Sequence, residues 1–326
     1  MKRLLFLLLF IPAFALGQSV YTYGGNALTY GGDVLIEVPS TYCAEYQAVY
    51  DAYTTKPSAE AAAIDNTMVA GLVSDGVWAK LDVFYLYAVH TNDDGEALIN
   101  IINPGTYDAT AYNAPTFTAL EGFTGADTKY IDWNVSLNAL TNYAQNDGCI
   151  GAYVRTNVDE SATVIGAETG ADRTTLFIRS SDNATLRLNA SSGTGTSNTD
   201  SRGMYIGNRV LSTHHDLYKN GALLIHDNIA SSGIPTHNMY SLCRNNDGVA
   251  ELFVTTQLSM IFAGGGLTQT DITNLTNRFE TRMDALGKGV IAQIDPLEQL
   301  NDLLLIQYLA FQQRIKDYEN AFYTNP

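Results

Sequence analysis

Charge is scarce in this sequence. Asp, Glu, Lys and Arg together make up only 16% of its 326 residues. A cytosolic helical enzyme normally carries far more. Positive charge is the rarer sign, with 18 Lys and Arg against 34 Asp and Glu, a formal net charge of −16. An acidic surface repels phosphate backbones, so nucleic acid is not an expected partner. There are three cysteines, Cys43, Cys149 and Cys243, with no Cys-x-x-Cys pair and no metal-type spacing. An odd count leaves at least one thiol free or bridged between molecules. Three unpaired, buried thiols are expected, with a Cys149–Cys243 bridge as the alternative. Gly264-Gly265-Gly266 has no lysine after it, so it is a hinge and not a phosphate loop. The Glu-x-Asp-x-Glu strand signature of glycosidases on β-sandwiches is missing as well.

What is abundant is Tyr (20), Gly (27), Thr, Asn and Ser, with 46% apolar residues. This is the composition of an extracellular β-protein with polar, uncharged loops, large enough to bury a real core. Residues 1–17, MKRLLFLLLFIPAFALG, read as a secretory signal peptide cut before Gln18. The rival is an uncut anchor, but an apolar run of about thirteen residues is short for a bilayer. No other segment reads as membrane-spanning. Residues 18–40 carry two Tyr-Gly-Gly repeats and read as an arm of strands and turns, or equally as a disordered leader.

Helices are expected next. Tyr42 to Tyr53 is rich in Ala and Tyr, and Ser58 with Glu60 caps a second helix that ends at Asp75-Gly76. Trp78 to Val89 reads as a buried strand, and Ala97 to Ile102 as another short apolar run. From there short strands follow one another between Gly, Asn and Asp turns. They are Phe117–Gly122, Tyr130–Val135, Ile150–Arg155, Thr174–Arg179, Thr185–Asn189, Gly203–Ile206, Leu211–Tyr218 and Leu223–Asp227. Lys219-Asn220-Gly221 and Asn245-Asn246-Asp247-Gly248 look like hairpin turns. The absence of strand–helix–strand alternation excludes a Rossmann-type fold, and the spacing predicts an antiparallel sandwich.

The sandwich closes with a strand over Glu251–Phe262, the glycine break and a helix capped by Thr268, with Asp271 in its first turn. Ile272, Leu275, Phe279, Met283 and Leu286 form its apolar stripe, and Gly287 stops it. Beyond Pro296, a seam of Leu297, Leu300, Leu304, Tyr308, Phe311, Ile315, Tyr318 and Phe322 runs at spacings of three and four. One helix cannot bury such a seam alone, so it either folds back on the sandwich or pairs with other subunits, and the apolar residues flanking the seam favour oligomerisation. The expected organisation is therefore 1–17 leader, 18–76 arm and helices, 77–290 β-sandwich with its closing helix, and 291–326 amphipathic helix for assembly or anchoring.

Several fragments resemble the concanavalin A-like, or laminin G-like, jelly-roll proteins of bacteriophages. They are SDGVWAKLDVFYLYAVH (74–90), ALINIINPGTYDATAYNAPTFTALEGFTGADTKYIDW (97–133), GAYVRTN (151–157), YKNGALL (218–224), GGGLTQTDITNL and LGKGV. The resemblance covers about residues 60–290. It implies a mainly β, concanavalin A-like jelly roll with N-terminal helices, a covering helix and a long C-terminal amphipathic helix. It also implies a virion surface protein of spike, fibre or capsid-decorating type, without enzymatic activity, assembled as a homo-oligomer with other virion or surface proteins. The leader is a departure, since virion proteins are usually assembled in the cytoplasm. It supports the alternative, an exported bacterial surface protein that binds carbohydrate. A glycan-cleaving enzyme is the third reading.

Strand alternation sets Ile150, Ala152 and Val154 against Tyr153 and Arg155. The same parity turns Arg179, Arg187 and Tyr205 away from their apolar neighbours. If these strands share a sheet, Tyr153, Arg155, Arg179, Arg187 and Tyr205 line one face. Aromatic rings and guanidinium groups there suit a cell-surface glycan; a plain solvated face is the alternative. His214-His215-Asp216 is not expected to hold a metal, because adjacent strand residues point to opposite faces. No cofactor is expected. Calcium is weighed only at Asp93-Asp94-Gly95 and Asn245-Asn246-Asp247, where hairpin turns need the same residues.

Overall fold

The computed structural model describes residues 42–292, a short pairing of β1 (Thr22–Tyr23) with β2 (Asn26–Ala27), and positions 312 and 314. The leader and the seam from Leu297 to Phe322 lie outside the described residues. Two helices come first, α1 (Ala44–Ala52) and α2 (Ala59–Ser74). The strands follow as β3 (Leu81–Tyr85), β4 (Thr110–Tyr112), β5 (Thr116–Thr118), β6 (Gly122–Thr124), β7 (Tyr130–Asp132) and β8 (Gly148–Val154). Next are β9 (Ile165–Thr169), β10 (Asp172–Ser180), β11 (Asn183–Leu188), β12 (Gly195–Ser197), β13 (Gly203–Arg209) and β14 (His215–Lys219). The last are β15 (Ala222–Asp227), β16 (Tyr240–Ser241), β17 (Arg244–Asn246), β18 (Val249–Glu251) and β19 (Gln257–Gly264), then helix α3 (Gln269–Ala285).

They form a mainly β sandwich of two sheets, as the strand spacing predicts. The first sheet runs β12-β11-β10-β9-β16-β7-β4, with β17 beside β9 and β18 beside β17. The second runs β15-β14-β13-β8-β19-β6-β5, with β3 on β19. Pairing is antiparallel throughout except for β17 on β9.

The central strands of the second sheet, β8, β13 and β19, are buried on both sides. Along β8, Ile150, Ala152 and Val154 face the first sheet, while Cys149, Gly151 and Tyr153 face a helical layer. Gly151 is required there: a Cβ would lie 2.2 Å from Cε1 of Phe262, its neighbour on β19. Phe262 stacks on Phe84 of β3, and Phe279 of α3 closes over Phe84 and Tyr153. Burying one such ring contributes roughly 2–3 kcal/mol.

Helix α3 starts on a capping box. Thr268 Oγ1 accepts from Asp271 N, and Asp271 Oδ2 accepts from Thr268 N at 2.7 Å. Helix α2 packs beside it through Arg282–Asp65 and Arg278–Asp75. Tyr46, Val49 and Leu72 from the N-terminal helices share one apolar core with the sandwich.

Several sequence expectations change in detail. Trp78–Lys80 forms a 3-10 turn, and the strand predicted to reach Val89 ends at Tyr85. Ala97 and Leu98 lie in a 3-10 turn over Glu96–Leu98, not in a strand. The strand expected from Leu211 begins only at His215, because Arg209 holds the carbonyls of Leu211, Ser212 and His214 in a loop. The run Glu251–Phe262 is broken between β18 and β19. Leu252 has φ 54°, and the Glu160 carboxylate accepts from the backbone N–H groups of Thr255 and Thr256. All three thiols are free. Cys149 and Cys243 are buried, but Cys43 is only partly so.

Candidate functional site

The five residues expected to share a face are spread over three surfaces. Tyr153 and Arg155 point to the helical side of the second sheet. There Tyr153 is fully buried and its hydroxyl donates to Glu280 at 2.5 Å. Tyr205 pairs with Ala152 and so points between the sheets, where Nδ2 of Asn198 donates to its hydroxyl. Neither tyrosine can meet a ligand. Arg179 and Arg187 lie on the outer face of the first sheet. Alternation was read correctly within each strand; what failed is the assumption that these strands share a sheet. Arg179 is held by Asp182 and Asn157. Only Arg187 belongs to a larger constellation.

That constellation follows from the register. Arg187 on β11 pairs with Thr175 on β10, and Thr175 with Gly166 on β9. Gly166 pairs with Tyr240 on β16, Tyr240 with Asp132 on β7, and Asp132 with Thr110 on β4. All six residues share the outer face along one rung. Five strand spacings make the rung roughly 24 Å long.

At one end of the rung three guanidinium groups surround Glu168, which is only 3% exposed. Arg244 Nη1 lies 2.6 Å from Glu168 Oε1, Arg187 Nη1 3.7 Å from the same oxygen, and Arg173 Nε 3.5 Å from Oε2. Arg244 also donates to Glu251, its partner across β18. Three cations face one buried and one half-exposed carboxylate, so positive charge is in excess here on an otherwise acidic chain. Burial pulls Arg187 below its ordinary value, and repulsion from Arg173 and Arg244 adds to this against the attraction of Glu168. Phe177 lies under the Arg187 guanidinium, 5.5 Å from ring centre to Cζ.

The donors of this cluster are not all used. The Nε atom of Arg187 and the hydroxyls of Thr163 and Thr175 are buried without a hydrogen-bond partner, and Arg173 Nε has only its ion pair with Glu168. Buried polar groups are normally satisfied, so these leftovers set the cluster apart from the rest of the sheet. Gly166 forms the floor. A Cβ there would stand 2.9 Å from Thr175 Cγ2 and 3.1 Å from Arg244 Cβ.

The other end of the rung is aromatic. Tyr130 is 4.7 Å from Tyr240 and 4.8 Å from Tyr112 between ring centres, and Phe253 flanks Tyr130 at 6.3 Å. Tyr112, 41% exposed, is the most open of the row. Cationic forks beside tyrosine rings suit a polyhydroxylated ligand that carries acidic groups. Of the turns weighed for calcium, Asn245 Oδ1 accepts from Gly248 N and Asp247 Oδ1 from Gly170 N, which is turn chemistry.

No protein-family model and no curated protein matches this sequence. Solved structures do match in fold. A Trypanosoma rangeli sialidase mutant displaying trans-sialidase activity aligns over 68% of this chain and 39% of its own, at 10% identity and TM-score 0.46. A structure concerned with botulinum neurotoxin type C, whose cell entry depends on interaction with two ganglioside molecules, aligns over 63% and 52%, at 13% identity and TM-score 0.44. Domain 4 of AbnA, a GH43 extracellular arabinanase from Geobacillus stearothermophilus, in complex with arabinotriose, aligns over 60% and 98%, at 14% identity and TM-score 0.39. The chain spans about two fifths of the length of the sialidases it matches. These likenesses concern the β-sandwich and assign no residue of this chain a role. They also correct one expectation. The chain was expected not to be an enzyme; the solved structures it aligns with include sialidases.

Proposed function

We propose that the outer face of the first sheet binds acidic glycans. Arg173, Arg187 and Arg244 would take a carboxylate or sulfate group, and the Tyr112–Tyr130–Tyr240 row would take the sugar rings beside it. The observation that carries this reading is the convergence of three arginines on the single buried carboxylate of Glu168. The setting we propose is a surface: the exterior of a phage particle, as the jelly-roll resemblance suggests, or that of an exporting bacterium, as the leader suggests.

The test is an array of neutral, carboxylated and sulfated glycans probed with the full chain and with an Arg187→Ala/Arg244→Ala variant. Selective binding of acidic glycans that the variant loses is expected. Equal binding by both proteins would remove this face as the site. Reading the same glycans for cleavage products tests the catalytic reading that the sialidase matches leave open. Mass spectrometry of purified phage particles against culture medium separates the two settings.

A further inference from the structure

We propose that His214, Asp216 and His226 form a binding site for one divalent transition-metal ion on the β14–β15 hairpin. The adjacent pair His214-His215 does split, as alternation requires. His215 turns into the sandwich, with Nε2 3.1 Å from the Leu186 carbonyl and Nδ1 accepting from Arg209 Nη2 at 2.8 Å. Alternation then returns Asp216 to the side of His214, and the ladder places His226 directly opposite Asp216. One donor atom from each of the three lies within 4.8 Å of the other two. His226 Nδ1 is 2.6 Å from Asp216 Oδ1, and the two imidazole centres are 4.8 Å apart.

Two imidazole nitrogens and one carboxylate oxygen suit zinc, copper or nickel. Calcium and magnesium prefer all-oxygen sets. Metal bonds of about 2.0–2.2 Å need the donors a little closer together than 4.8 Å. The partly exposed side chains of His214 and His226 can close that gap by small rotations. Three protein ligands leave a coordination position open for water or a ligand group.

The backbone around the cluster is fixed independently. Arg209 is fully buried and donates to the carbonyls of Leu211, Ser212 and His214, and to that of Ile229 beyond β15. One side chain therefore clamps the loop entering His214 and the segment leaving His226. Metal sites depend on this kind of supporting order.

Titrating the metal-stripped full chain with Co2+ and following visible absorption tests the proposal. Saturation at about one equivalent is expected, with at least a tenfold loss of affinity in His214→Ala, Asp216→Asn and His226→Ala. His237→Ala, remote from the hairpin, should bind as the unaltered chain does. No absorption in the unaltered chain, or undiminished uptake by His226→Ala, would overturn the site. A second measurement needs no variant. Zn2+ should protect His214 and His226, but not His237, from diethyl pyrocarbonate, read by mass spectrometry. Equal modification with and without Zn2+ would also overturn it.

Discussion

The Nε atom of Arg282 lies 2.7 Å from Oδ1 of Asp65, and neither side chain is more than 4% exposed. This pair locks α3 to α2, and Arg282 Nη2 also donates to the Ala88 carbonyl. Burial pushes the Asp65 carboxyl up, and Arg282 pulls it back. Removing one partner leaves the other charge buried and alone. Arg282→Ala or Asp65→Ala should therefore lower unfolding free energy by about 3–5 kcal/mol, measured in urea. A paired Asp65→Leu/Arg282→Met replacement should cost much less. If the double variant proves as unstable as either single one, the pair is not what joins the helices.

Glu168 restrains the arginine cluster and competes with any ligand for it. Glu168→Gln should tighten binding of sulfated or carboxylated glycans while weakening the fold, since three guanidinium groups then repel one another. Arg187→Ala and Arg244→Ala should each weaken such binding about tenfold or more, because hydrogen bonds to charged groups contribute about 1.5–3 kcal/mol. Isothermal titration calorimetry at two salt concentrations would show both effects, and affinity should fall with salt.

Gly166 sets how closely Arg244 and Thr175 approach. A methyl group there meets Thr175 Cγ2 at 2.9 Å and must displace a neighbour. Gly166→Ala should destabilise by roughly 1–3 kcal/mol and weaken glycan binding through Arg244. Thermal unfolding and a binding isotherm on one sample separate the two. Unchanged affinity would place the ligand elsewhere.

Glu280 predicts a pH signature. Burial pushes its carboxyl above the ordinary 4.5, against the hydrogen bonds from the Tyr153 hydroxyl and the Ile291 and Val290 segment, and Asp284 adds to the rise. The folded chain thus holds this proton more tightly than the unfolded chain. The stability it contributes is complete below pH 4.5 and is lost as pH rises through the folded value. Measured against Glu280→Gln, the unaltered protein should lose stability as pH rises above 4.5. The loss is about 1.4 kcal/mol for each tenfold of tighter holding. A constant difference across that range would show that the carboxyl ionises in the fold as it does in the open chain.

Much of the fold was legible because its strands carry large apolar residues. Ile150–Arg155, Thr174–Arg179 and Thr185–Asn189 were placed to within a few residues, as was α3 with its cap. Strand β9, IGAET, was missed. Its inward positions are Ile165 and Ala167, so only one large apolar residue marks it. It is nevertheless the strand that carries Gly166 and Glu168. Strand β17 was hidden inside an Asn-Asn-Asp-Gly turn signal, of which only Asp247 and Gly248 make the turn. Arg173, Arg244 and Glu168 were therefore not assembled from sequence, although Arg187 was singled out. Which strands share a sheet is a long-range property, and local alternation does not carry it. The hairpin cluster was only half legible: His214-x-Asp216 follows the period of a strand, but the Asn220-Gly221 turn alone would set Ile225 opposite Asp216, and a bulge beyond Tyr218 brings His226 there instead.

The helical layer has a further consequence. Cys43 N donates to Asn66 of α2, and Ile291 N donates to Glu280 of α3. Both ends of the described body therefore leave from the same side, behind the second sheet. Two sheets about 10 Å apart stand between those exits and the arginine and tyrosine rung.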